Sequence, residues 1–82
     1  MTTLHYPLAT EKSIRLMETD NTLIFIVENK ATKQEIKQET EKLFNTKVTA
    51  VRTHKLKGQK RAYITFHNDT PAIDIATDLG VL

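Results

Sequence analysis

Six basic side chains, Lys47, Arg52, Lys55, Lys57, Lys60 and Arg61, fall between positions 47 and 61 with no carboxylate among them. Lysine and arginine in such a run do one kind of chemistry well. They neutralise phosphates and release the counterions condensed on a nucleic acid, which makes binding steeply salt-dependent. The rest of the chain leans the other way. Residues 1–46 carry six basic and seven acidic groups, residues 62–82 only three aspartates, and the whole chain stands at +2. A solvated surface run is the ordinary alternative. The acid-free block beside an acid-rich remainder points instead to a localised anionic partner. Within the block His54 can donate a hydrogen bond to phosphate, and Tyr63 beside Arg61 is a candidate stacking platform, or else a half-buried sheet tyrosine.

Other chemistry is poorly supplied. There is no cysteine nucleophile, Gly-rich phosphate loop or dinucleotide fingerprint. Thr10 and Ser13 lack a recognisable base or nucleophile-elbow context. His5, His54 and His67 are scattered without metal-ligand spacing. A non-enzymatic chain without metal or cofactor is expected. The sequon Asn68-Asp69-Thr70, followed by Pro71, reads as accidental.

With 82 residues, 39% of them hydrophobic, the chain suits one domain spanning 1–82. No apolar run approaches the roughly 20 residues of a membrane span, so no membrane insertion is expected. The opening residues lack the basic start and apolar stretch of a signal peptide. Zero cysteines suit a reducing compartment, so a cytoplasmic location is expected.

The elements that must hold the cations can be read from pattern. Thr10 N-caps a first helix with Ser13, Ile14, Leu16 and Met17 on its inner side, and Glu11 pairs with Arg15 at i,i+4. Asp20-Asn21 turns the chain into the apolar strand Leu23 to Val27. Thr32 and Glu35 form a capping box for a helix running to about Phe44, with Ile36, Thr40, Leu43 and Phe44 inward. Lys33 and Lys37 flank that stripe as candidate phosphate contacts, although solvated helix charges explain them equally well. Val48 to Lys55 reads as a strand with a bulge, because Val48 and Val51 have opposite parity. Lys57-Gly58-Gln59 turns into the strand Arg61 to His67, with Ala62, Ile64 and Phe66 on one face. Thr70 and Pro71 are expected as N-cap and N1 of a last helix with Ala72, Ile73, Ile75, Ala76 and Leu79 inward. A short strand near His5-Tyr6 is a further candidate. The fold class is α+β, a mainly antiparallel sheet of three to four strands with about three helices packed on it.

In order along the chain, Pro7-Leu8-Ala9-Thr10-Glu11-Lys12-Ser13, Ala31-Thr32-Lys33-Gln34-Glu35-Ile36-Lys37, Leu43-Phe44, Val48 to Thr53 and Lys60-Arg61-Ala62-Tyr63-Ile64 resemble the motifs of the large-subunit ribosomal protein twenty-three family. The resemblance implies a structural protein on large-subunit rRNA beside the polypeptide exit tunnel. It also implies contacts with neighbouring ribosomal proteins and a landing surface for signal recognition particle, translocation machinery or chaperones. By motif match it nominates Lys12, Lys33, Lys37, Arg52, Lys55, Lys57, Lys60 and Arg61 for rRNA, joined by His54 and Tyr63 from the residue reading. Glu11 falls where bacterial relatives present an acid to a chaperone. With Arg15 and Glu18 it forms the candidate protein-docking surface. Bacterial members carry a long hairpin extension; here only Leu56-Lys57-Gly58-Gln59 joins the strands, which resembles the archaeal form. The alternative is a free-standing RNA- or protein-binding module outside the ribosome.

Overall fold

A computed structural model describes residues 3–80. The element order is β1 (Leu4–Pro7), α1 (Glu11–Asp20), β2 (Thr22–Val27), α2 (Lys33–Phe44), β3 (Val48–Leu56), β4 (Gln59–Phe66) and α3 (Ala72–Asp78). The four strands form one antiparallel sheet in the order β1-β2-β4-β3. β2, the apolar run with no polar face, is hydrogen-bonded on both sides and buried throughout. The short β1 and the charged β3 take the edges, where unpaired backbone groups need protection from other chains.

Pairing register sorts the side chains into two faces. Leu23, Phe25 and Val27 of β2 join Ala62, Ile64 and Phe66 of β4 in the main core. Ile36 of α2, Ala72, Ile75 and Ala76 of α3, and Met17 of α1 complete it. The Phe25 and Phe44 rings lie 6.1 Å apart and tilted, fastening the end of α2 to the central strand. Ile24 and Ile26 point to the opposite face and are still only 3% and 4% exposed. In register with them on that second face stand Tyr63 and Arg61.

The hairpin forms as its sequence requires. Lys57 and Gly58 both have positive φ, 51° and 81°, as a two-residue type I′ turn needs to match the strand twist. The register breaks between Val48 and Ala50, so Thr49 is the bulged residue, and its hydroxyl donates to the Thr65 carbonyl at 3.1 Å. The break brings Val48 and Val51 to the same core face, opposite Phe66 and Ile64. β4 begins at Gln59, two residues before the expected start, because the tight turn lets pairing continue to Leu56.

Three expectations need correction. Leu43 is 60% exposed: the inward line of α2 follows Ile36, Thr40 and Phe44 at i,i+4, which leaves Leu43 beside it. Ile73 and Leu79 of α3 are 38% and 39% exposed, since Ala72, Ile75 and Ala76 already fill its contact side. The N-cap of α3 is Pro71 rather than Thr70, and no side chain of the cap itself closes the helix. Instead Asn21, in the left-handed turn ending α1, accepts from the Ala72 N–H at 2.6 Å. Its amide nitrogen also donates to the carbonyls of Phe66, His67 and Thr70. The Thr70 hydroxyl accepts from that of Thr46 instead.

Candidate nucleic-acid interface

Strand alternation and register decide where the cations of the hairpin go. Arg52 pairs with Tyr63 and His54 with Arg61, and all four side chains share the second face of the sheet. The Arg52 guanidinium lies over the Tyr63 ring, its carbon 5.4 Å from the centroid. At an exposed site such a cation–π pair is worth about 0.5–1 kcal/mol and holds the guanidinium plane in place. Tyr63 is therefore half-buried, with one side of its ring already occupied by Arg52.

α1 brings Lys12 to the same place. Lys12, Leu16 and Asp20 succeed one another at four-residue spacing along one edge of the helix, and with Arg52, Thr53, His54 and Tyr63 they line one open hollow. The α1 motif has a structural task too. Thr10 and Ser13 form a reciprocal capping box, the Ser13 oxygen accepting from the Thr10 N–H at 2.7 Å and the Thr10 oxygen from the Ser13 N–H at 3.2 Å. Ser13 is wholly buried, so the start of the helix carrying Lys12 is tightly held.

Lys33 and Lys37 line a different hollow, bounded by Gln34, Gln38 and Glu41 of α2 and by Thr49, Ala50 and Val51 of β3. Glu39 and Glu41 of α2 hold the fold together: they accept from the Leu4 and Val48 N–H groups at 2.8 Å and 3.0 Å. Lys55 and Lys57 stand exposed at the hairpin tip. Lys60 is half-buried, and its ammonium donates to the Ala31 carbonyl at 2.6 Å, bracing the entry to α2.

The electrostatic state of these groups is simple. Among the described residues the ion pairs are His5 with Glu28, Arg15 with Glu11 and His67 with Asp69. None of the six cations of the basic block pairs with a carboxylate among the described residues. The carboxyl of Glu35 is held below the usual carboxylate range, chiefly because it accepts the Thr32 N–H, then by the Thr32 hydroxyl, with the nearby Lys60 charge adding to both. Arg61 has a buried Nε with no hydrogen-bond partner in the described residues.

Glu11, Arg15 and Glu18 lie exposed on α1, with the first two forming a 3.6 Å ion pair worth a few tenths of a kcal/mol (about 0.3–0.5) at most. The three histidines sit in β1, in β3 and just after β4, and no group of three His, Asp or Glu among the described residues is arranged to hold a metal. No helix among them is long and apolar enough to cross a membrane.

The arrangement can therefore hold phosphates on several elements at once. Comparison with known proteins gives the family. The large ribosomal subunit protein uL23 of Methanococcus vannielii is 43% identical over 76 residues, covering 92% of this chain and 88% of that protein. The protein of that name from Tetrahymena thermophila is 42% identical over 77 residues, 93% of this chain, which spans about half (51%) of that relative's length. The model of the family described as Ribosomal protein L23 matches residues 2–76, and the chain belongs to that family.

Proposed function

We propose that this chain is a structural, non-catalytic component of the large ribosomal subunit in the cytoplasm, anchored by phosphate contacts to large-subunit rRNA near the polypeptide exit tunnel. The observation that carries the reading is the set of outward cations without carboxylate partners among the described residues. Lys12, Arg52, His54 and Arg61 gather on the second face, Lys33 and Lys37 on the α2 flank, and Lys55 and Lys57 at the tip. A folded RNA offers phosphates on such a curved surface, and recognition then follows shape more than sequence. Lys60 takes part less, because one of its ammonium hydrogens serves Ala31. The names of its relatives support the ribosomal setting.

Neighbouring ribosomal proteins are the other partners in this reading. Glu11, Arg15 and Glu18 form the surface on which signal recognition particle or translocation machinery docks. Their exposure on α1 supports that role. Sedimentation of cell extract through a high-magnesium gradient tests the ribosomal assignment. The chain is expected to travel with large subunits; a chain found only at the top of the gradient is a free-standing module instead.

A further inference from the structure

We propose that the hollow between α1 and the second face of the sheet takes one unpaired nucleotide of the RNA, its base stacked on the Arg52 guanidinium and its phosphates held by Lys12, His54 and Arg61. The proposal rests on the RNA-binding reading above and adds which part of the RNA enters this site.

The lining does not suit phosphate alone. Besides Lys12, Arg52 and His54 it contains the apolar Leu16, the Tyr63 ring and the carboxylate of Asp20. The Asp20 side chain accepts no hydrogen bond from another described residue, and it would repel a phosphate placed beside it. A nucleobase has the complementary chemistry: flat faces that tolerate an apolar wall, and amino or imino donors along its edge for a carboxylate. Its anionic backbone then belongs with the cations at the rim.

Arg52 supplies the stacking surface. Tyr63 supports one side of its guanidinium at 5.4 Å, and Arg52 is itself exposed. A planar, weakly hydrated cation held in this way stacks well on a base, which a lysine ammonium does not. Arg61 stands opposite His54 in the register, half-buried and without a carboxylate partner among the described residues. Its charge is available to a backbone phosphate next to the stacked base. Bases inside a duplex are stacked and paired already, so only a single-stranded, bulged or looped nucleotide can enter.

The test uses two short RNAs of equal length, a single-stranded oligouridine with one central 2-aminopurine and a blunt duplex carrying the same base paired. The full chain is expected to bind the single strand more tightly and to change the 2-aminopurine fluorescence on binding. Arg52→Lys, which keeps the charge and loses the plane, is expected to abolish that change and weaken single-strand binding about tenfold, with the salt slope unchanged. Tyr63→Leu, which removes the support, is expected to act in the same direction, and circular dichroism shows whether either variant is folded. Tighter binding of the duplex, or an Arg52→Lys protein with the wild-type fluorescence change, overturns the stacked base. Binding that ignores salt for both RNAs overturns the phosphate reading itself, so the two failures are distinct.

Discussion

Asn21 makes four side-chain hydrogen bonds to backbone groups of β4, the loop after it and α3. Its backbone adopts φ 52° to end α1, and its amide joins β4 and the loop after it to the first N–H of α3. Asn tolerates this conformation better than most residues, and one amide serves as both donor and acceptor. Asn21→Ala is expected to cost about 2–3 kcal/mol in a urea titration. Asn21→Asp, which keeps the acceptor for Ala72 and loses the donors, is expected to cost less. In the sequence Asn21 reads only as a turn residue, because all four of its side-chain partners lie more than forty positions away. Lys60 was legible as a cation but not as a brace, since Ala31 is brought to it only by the sheet.

At the scale of elements, the two capping boxes were written in the chain differently. Thr32 and Glu35 match the usual pattern and form it, with Glu35 accepting from the Thr32 N–H at 2.9 Å. Thr10 and Ser13 form the same reciprocal pair with a serine where Glu or Gln is the usual signal, so only the N-cap was legible. The Thr32–Glu35 box has a pH signature. Accepting the Thr32 N–H holds Glu35 below the ordinary carboxylate value of 4.5 in the fold, so its charged form stabilises the native state above that value. The contribution fades as pH falls through the lowered value. The urea midpoint of wild type is expected to exceed that of Glu35→Gln at pH 6, and the gap to close as pH drops below about 4.5. A gap that persists at pH 2 would show that the charge is not its source.

The whole molecule sets its cations on both sides of β3. Arg52 and His54 line one hollow with Lys12, while Thr49 to Val51 line the other with Lys33 and Lys37. The two groups should therefore meet different phosphates. Substituting Lys12 and Arg61 with alanine is expected to reduce the slope of log K against log salt for large-subunit rRNA by about 1.4–1.8, and substituting Lys33 and Lys37 by a similar amount. The two reductions are expected to add in the fourfold variant. If the α2 pair leaves the slope unchanged in filter binding, that flank is ordinary solvated surface and only the second face and tip grip the RNA.

Local pattern determined most of the elements here: caps, turn residues and apolar runs act over a few positions, so Thr10, Thr32, Lys57-Gly58 and the β2 run were legible in the chain. The bulge was legible too, because one inserted residue shows as a change of parity between Val48 and Val51. Tertiary structure alone decided the strand order, the exposure of Leu43, Ile73 and Leu79, and the division of the basic block into a stacked pair, a brace and a free tip. Each of those outcomes depends on which distant strand or helix arrives beside a residue. Nearest-neighbour chemistry carries no record of that, whereas the closing of the sheet settles it at once for every side chain on a face.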